Sequence, residues 1–308
     1  MAVRNPQAPS AVVMVRPHHF CPNPQTQADN SFQSALPQNP ETLSALAYRQ
    51  ASDVAAQLTD YGVQVHIFED ETRDTPDSVF PNNWFSTHSG GHVAIYPMFA
   101  LNRRTEKRAD VIDMLKRCYR VQDVVDYSGL EADDIFLEGT GAMVLDHIDR
   151  VAYAVQSNRT NPLALERFCT HFNYEPMLFE AFDNNAKAVY HTNVLMCIGT
   201  DFVMIGLDMI DSQKRRDEII QRFEESGREV IALSHQQIAS FCGNAIELQA
   251  KNGRILALSS TAYAALEPEQ RLILEKSITL LPLDVSVIES AGGSVRCMLA
   301  GIHLSARQ

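Results

Sequence analysis

Five polar side chains recur at an almost constant interval: Asn83, Glu138, His191, Asn244 and Cys297 are separated by 55, 53, 53 and 53 positions. A cysteine with an imidazole base and a carboxylate to orient that base is a general nucleophile arrangement. The thiolate is the attacking form, and a neighbouring imidazole favours it. Read alone, a cysteine in an apolar run is a small buried hydrophobe, and a single His or Glu is a satisfied polar residue. The shared spacing sets these apart, because equivalent positions of a repeat converge when the repeats close on themselves. Cys297 follows Gly292-Gly293 and precedes Met298-Leu299, so a turn with room for close backbone approach presents it. Asn244, in Gly243-Asn244-Ala245, has no proton to transfer and is read as a backbone hydrogen-bonding residue.

The elements that must position these residues repeat with them. Each unit reads as an apolar strand, a short polar turn, a second strand, an amphipathic helix and a returning strand. The first runs Trp84–His88, His92–Met98, helix Asn102–Tyr119 and Val121–Val125. The second runs Ala142–Asp146, Arg150–Val155, helix Asn161–Phe172 and Glu175–Phe179. The third runs Thr192–Ile198, Phe202–Leu207, helix Asp211–Ser226 and Glu229–Leu233. The fourth runs Ala245–Gln249, Arg254–Ser259, helix Glu267–Leu280 and Val285–Glu289. A fifth is split across the ends: a hairpin of Ser294–Met298 and Gly301–Ser305, helix Thr42–Leu58 and strand Val63–Glu69, with Ala11–Val15 joining the hairpin. Five such units closed in a ring bury their sheet edges. The expectation is therefore one α/β domain over residues 1–308, with 1–10 as a flexible N-terminal tail.

Composition bounds the partners. The 308 residues carry 26 Lys+Arg against 38 Asp+Glu, a net charge of −12, and 45% are hydrophobic. A core is available, and the acidic balance excludes the basic footprint that nucleic acid requires. No run of 18 apolar residues offers a membrane span, and the polar start lacks a signal-peptide core, so a cytoplasmic protein is expected. The six cysteines show no C-x-x-C pair and no metal-like cluster. His18-His19, near Cys21, lacks a third ligand at metal spacing. Cys118, Cys169 and Cys197 read as core, and Cys242 sits beside a repeat position.

The motifs carry a resemblance. Asp77-Ser78-Val79-Phe80-Pro81-Asn82-Asn83-Trp84-Phe85, Leu137-Glu138-Gly139-Thr140-Gly141, Ser157-Asn158-Arg159-Thr160, His191-Thr192-Asn193 and Gly292-Gly293-Ser294-Val295-Arg296-Cys297-Met298 stand in the order found in the guanidino-group-modifying superfamily. That superfamily holds arginine deiminases, dimethylarginine dimethylaminohydrolases and amidinotransferases. The sequence resembles it from about Val12 to Leu304, and most resembles its citrulline-utilisation hydrolase branch. The resemblance implies the pentein fold, a five-bladed β/α-propeller. It implies Cys297 as nucleophile on a guanidino or ureido carbon, His191 as acid and then base, and Glu138 as the residue holding the His ring, with no metal or organic cofactor needed. It also implies Arg103 and Arg159 as anchors for the substrate α-carboxylate, and Asp77 as the reader of its α-amino group. Read locally, Asp77 also suits an Asx turn, and Arg103-Arg104 suits the exposed start of a helix.

The chain departs from that pattern at three asparagines. Asn82 and Asn83 stand where relatives that hold a cationic guanidinium place carboxylates, and Asn193 stands where arginine deiminases have His-x-Asp. A guanidinium has only donors, whereas a ureido group also has a carbonyl acceptor, and an uncharged amide matches the latter. The favoured substrate is therefore citrulline, taken to ornithine, carbon dioxide and ammonia. Arginine or a methylated arginine stays open, with Glu138 and Asp133 or Asp134 facing the cation. An amidinotransferase would use the same triad, and a non-enzymatic binding module would not need it. The partner is a small guanidino or ureido amino acid; a homo-oligomer is allowed. Arg16 to Asn30, stiffened by Pro17, Pro22 and Pro24, is expected to cover the site, and Gln25–Pro40 to be surface or lid.

Overall fold

The computed structural model describes residues 7–307. Among them are five three-stranded sheets, each an antiparallel pair followed by a third strand parallel to the second. The first four sheets are Phe85–His88, His92–Ile95 and Asp123–Asp126; Met143–Asp146, Val151–Val155 and Glu175–Phe179; Met196–Ile198, Phe202–Ile205 and Glu229–Ala232; and Ile246–Ala250, Gly253–Ser259 and Thr279–Leu283. A parallel return needs a long crossover, and the helices Ala109–Cys118, Pro162–Phe172, Gln213–Glu225 and Pro268–Glu275 supply it. The central strands are apolar and buried on both faces, as in Val151–Val155.

The fifth sheet joins the chain ends. Val12 and Val13 pair antiparallel with Gly301 and Ala300, and the whole strand Ala11–Pro17 runs parallel to Gln64–Asp70. The helix between them, Pro40–Asp60, starts with Pro at its first position and with the Asn39 side chain accepting from Thr42 N. Its Ala47, Val54 and Leu58 pack with Val12 and Met14, and with Leu248, Ala257 and Leu283 of the neighbouring sheet. Adjacent sheets touch through their first strands: 143–146 meets 196–198, 196–198 meets 246–250, and 300–301 meets 85–88.

Several expected elements move. Gly301–Ser305 does not form the second strand of the last hairpin; Ala11–Pro17 takes that place because its apolar run fills a two-sided position. The fourth returning strand is Thr279–Leu283, not Val285–Glu289. Pro282 argues against a central strand, but this strand is an edge, where a missing N–H is tolerated. The helix expected over Glu267–Leu280 shortens to Pro268–Glu275, opened by a Glu267/Gln270 capping box, and a separate helix, Ser260–Ala265, precedes it. The helix expected over Asn102–Tyr119 divides into a 3-10 segment, Leu101–Glu106, and Ala109–Cys118. The described part of the expected tail, residues 7–10, is not a tail. Gln7 is buried, donates to the carbonyls of Leu145 and Ile198, and accepts from His147 N, while Ser10 O accepts from Gln64 N. Residues 1–6 of that expectation lie outside the described residues. Among the described residues no helix is long and apolar enough to cross a membrane.

Candidate active site

Each of the five recurring residues sits in or beside a tight turn just before the first strand of its sheet. Asn83 ends the 3-10 turn Pro81–Asn83, Glu138 precedes the helical turn Gly139–Ala142, and His191 precedes Thr192–Leu195. Asn244 follows a turn closed by its own N–H on Phe241 O, and Cys297 lies within Val295–Met298. Residues 192–195 and 295–298 were expected as strand; they are helical turns, and the strands begin after them. The turn 139–142 packs against 81–83 and 192–195, and 295–298 packs against 81–83. Glycine makes the approach possible. A Cβ on Gly139, which has φ +49°, would lie 2.5 Å from Asn82 O, and one on Gly141 would lie 2.2 Å from Asn83 Nδ2 and 2.9 Å from His191 Nδ1.

Glu138 and His191 form a hydrogen-bonded pair, Oε2 to Nε2, at 2.8 Å, and both are buried. The second carboxylate oxygen accepts from Phe99 N at 3.0 Å. The guanidinium groups of Arg159 and Arg103 lie 3.6 and 3.7 Å from Glu138 Oε2. Burial pushes the Glu138 carboxyl up, but Arg159, the His191 hydrogen bond and Arg103 outweigh it and hold the group well below the ordinary carboxylate range. Burial drives His191 down to about 4, and the bond to Glu138 recovers only part of that shift. The imidazole is therefore neutral near pH 7. With Nε2–H donated to Glu138, Nδ1 keeps the lone pair and can act as a base.

The Cys297 thiol is also buried, and two amides converge on its Sγ: Asn193 Nδ2 at 3.2 Å and Asn244 Nδ2 at 3.3 Å. Asn244 is held from both ends, donating to Asn193 O and accepting from Arg296 N. Its backbone role was legible, whereas its place on the thiol was missed, although the repeat spacing had already put it there. Two amide donors aimed at a sulfur can stabilise the negative charge of an adduct formed there. The Oδ1 of Asn193 is buried without a partner.

The expected anchors divide. Arg159 is buried; its Nε and Nη2 make parallel 2.8 Å hydrogen bonds to the two oxygens of Asp29, and its guanidinium lies over the Tyr190 ring. Arg103 is not an exposed helix start. It is turned inward, with Nε and Nη2 on the Glu106 carboxylate, Nη1 on Asn83 Oδ1 at 2.8 Å, and further bonds to the carbonyls of Phe80 and Asp77. Burial opposes its charge, but Glu106, Asp77 and Glu138 hold the guanidinium protonated. Asp77 Oδ2 accepts from Asn23 Nδ2 at 2.7 Å, while Asp77 Oδ1 is buried without a partner. Asn83 Nδ2 donates to Asn82 Oδ1, and Asn82 Nδ2 reaches Thr140 Oγ1.

Other candidates fall outside the centre. Asp133 and Asp134 are exposed, unlike the buried Glu138. Cys242 does not line the site; its thiol donates to Ala262 O in the core. Among the described residues no group of three or more His, Cys, Asp or Glu is arranged to hold a metal. Residues 18–39, without strand or helix, lie over the centre through Asn23 and Asp29, which the sequence did not single out. A surface cavity of about 900 Å³ is lined by His18, Phe20, Cys21, Tyr48 and Arg73.

A family model described as N,N dimethylarginine dimethylhydrolase, eukaryotic, matches residues 16–304. No curated protein matches the sequence. Among solved structures, the chain is similar to the substrate-bound N-terminal domain of ArgZ, an arginine dihydrolase from the ornithine–ammonia cycle in cyanobacteria. The TM-score is 0.74 at 15% identity, covering 95% of this chain and 97% of that one. Unliganded AgrE gives 0.73 at 16% identity, covering 97% of this chain and 40% of that one. A mutant of the dimethylarginine dimethylaminohydrolase (DDAH) from Pseudomonas aeruginosa, complexed with citrulline, gives 0.63 at 15% identity, covering 96% and 100%. At this identity the structures establish a shared fold.

Proposed function

Because the chain belongs to the N,N-dimethylarginine dimethylhydrolase family, within the guanidino-group-modifying superfamily, and is a hydrolase of carbon–nitrogen bonds outside peptides, we propose that it hydrolyses the ureido group of citrulline through Cys297. On this reading the five sheets are the blades of a single-domain pentein propeller, and the five turns meet at its axis. The observation that carries the proposal is the buried Glu138–His191 pair together with a buried thiol held by two amides, one of them on Asn193, two residues after His191.

The thiolate attacks the ureido carbon, and the proton given up by the thiol passes to His191 Nδ1. His191 returns that proton to the departing nitrogen as the tetrahedral adduct collapses, leaving a thiocarbamate on Cys297. Water, deprotonated by His191 Nδ1, cleaves the thioester-like bond, which restores the thiol and releases a carbamic acid, and loss of carbon dioxide from that acid breaks the remaining carbon–nitrogen bond and frees the second amine. Whichever nitrogen leaves first, the balance is citrulline plus water to ornithine, carbon dioxide and ammonia. Glu138 keeps the ring in the required tautomer. Arg159 takes the substrate α-carboxylate and Asp77 its α-ammonium, while Arg103 acts through Asn83 and Glu138 as a positioning residue.

The preference for a neutral ureido group rests on charge. Glu138 already faces two guanidinium groups at 3.6 and 3.7 Å, so it is no free counterion for a third. Asn193, whose Nδ2 meets the thiol, has a neutral Oδ1 that is buried and lacks a partner, which suits a ureido N–H. A second reading, with arginine or a methylated arginine as substrate, is supported by the family match and by the likeness to an arginine dihydrolase.

Incubating the purified protein with citrulline, arginine and methylated arginines, and following ammonia and ornithine, separates these readings. Citrulline is expected to give both products, and Cys297→Ser to give neither. Turnover retained by Cys297→Ser would sink the mechanism.

A further inference from the structure

The two side chains assigned to the amino-acid end of the substrate are both engaged by the protein itself, Arg159 through two nitrogens and Asp77 through one of its two oxygens. Asp29 presents a carboxylate to Arg159 in a two-bond fork, supported by Asn158 Nδ2 on Asp29 Oδ2 at 2.7 Å. Asn23, six residues earlier, gives an N–H to Asp77 Oδ2. Carboxylate on arginine and nitrogen donor on aspartate is the pattern an α-amino acid would make at the same pair. The segment is fastened further along by Asn30, whose Nδ2 donates to Ala291 O and sits where a Cβ on Gly292 would lie, 2.2 Å away. Asn23 is fully buried, and Asp29 is only 22% exposed at its side chain. A connection of this length without regular structure inside a compact fold is characteristically functional.

We propose that Asp29 is a specificity-determining residue that stands in for the substrate α-carboxylate on Arg159, with Asn23 standing in for the α-ammonium on Asp77, so that a substrate enters by exchange with the chain's own side chains. The inference rests on the assignment of Arg159 and Asp77 as anchors. An amino acid replaces both contacts in kind, and Arg159 is never left as a buried unpaired cation. A ligand without the carboxylate would have to strip Asp29 from Arg159 and offer nothing in return, so urea or guanidine compounds lacking an amino-acid end are excluded. The exchange lowers apparent affinity by the fraction of molecules whose anchor is already free.

The test uses the full-length protein and norvaline, which has the amino-acid end and no reactive group, with butylamine as its counterpart lacking the carboxylate. Calorimetry is expected to show norvaline binding to Asp29→Asn about tenfold more tightly than to wild type, since the competing carboxylate is gone. Butylamine binding is expected to stay the same. Asn158→Ala, which removes one support of Asp29, shifts norvaline the same way by less. Without any ligand, alkylation of Cys297 by iodoacetamide, read on its peptide, becomes faster in Asp29→Asn. Norvaline binding that is equal or weaker in Asp29→Asn, with an unchanged melting temperature, overturns this inference alone. Absence of norvaline binding from every variant overturns the anchor assignment beneath it, and equal alkylation rates then overturn the role of Asp29 independently.

Discussion

The side-chain amide of Asn244 lies 3.3 Å from Cys297 Sγ and is fixed there by bonds to Asn193 O and Arg296 N. A donor so placed stabilises the charge that develops at the sulfur during the reaction. A hydrogen bond to a charged group contributes about 1.5–3 kcal/mol, so Asn244→Ala is expected to lower kcat by about tenfold to a hundredfold. KM stays close to wild type because Asn244 meets no proposed anchor. Steady-state kinetics on the substrate found decide it: an unchanged kcat in a folded variant removes Asn244 from the chemistry.

The pH behaviour follows from His191, which burial holds at about 4. The base is unprotonated above that value, so the acid limb of kcat/KM should fall near pH 4 and not near the ordinary imidazole value of about 6.5. The same shift bears on stability. Between 6.5 and 4 the unfolded chain takes up a proton on His191 that the folded chain refuses, so this contribution is complete above 6.5 and is lost as pH falls. Urea midpoints of wild type and His191→Gln, compared from pH 7 to 4.5, should draw together as pH falls. A constant gap would show His191 titrating alike in both states.

Arg103 illustrates a residue whose place differs from the local reading of an exposed helix start. Its donors are taken by Glu106, Asn83 and two backbone carbonyls. Replacing it by Leu leaves Glu106 buried without a partner charge, and breaking one side of a buried pair costs about 3–5 kcal/mol. Denaturant unfolding of Arg103→Leu should show a loss of that size. A loss below about 1 kcal/mol, the scale of an exposed pair, would return Arg103 to the surface role.

What was legible follows from what repeats. The interval between Asn83, Glu138, His191, Asn244 and Cys297 was enough to bring five turns together, because repeated units place equivalent residues at equivalent depths. Strand order within each sheet was legible for the same reason, from the hairpin turns and the helix that must follow. The turns themselves were not: Thr192–Leu195 and Val295–Met298 are apolar enough to read as strand, and only the packing of neighbouring turns coils them. Nor were Asn23 and Asp29 legible, since their partners Asp77 and Arg159 lie 54 and 130 positions away and no periodicity links them. Arg103 was drawn inward by Glu106, three residues on, a spacing equally common on exposed helices.

Gly141 offers a steric test of the centre. Its φ is not in the left-handed region, so alanine strains no backbone there; the added methyl meets Asn83 Nδ2 at 2.2 Å and the His191 ring at 2.9 Å. Asn83 or the imidazole must move by a good part of an ångström. A displacement of that size is expected to reduce kcat about a hundredfold. Activity of Gly141→Ala within a few fold of wild type would show that the two side chains tolerate rearrangement, and that their close approach does not matter to the reaction.

Substrate charge can be switched at Asn83. Its Oδ1 accepts from Arg103 Nη1 at 2.8 Å and its Nδ2 donates to Asn82. In Asn83→Asp the oxygen facing Arg103 is retained and the donor is exchanged for a second, charged acceptor. A guanidinium, which has only donors, gains a counterion at that position, while a ureido group loses nothing but neutrality around it. The ratio of kcat/KM for arginine over citrulline should therefore rise, by about tenfold or more if the new charge is worth one charge-assisted hydrogen bond. The Arg103 guanidinium draws off part of that charge, so Asn82→Asp, whose neighbour is the neutral Thr140, should raise the ratio further. An arginine-to-citrulline ratio that is unchanged in both variants would show that these asparagines do not read the charge of the substrate, and the argument for a ureido group would lose its footing.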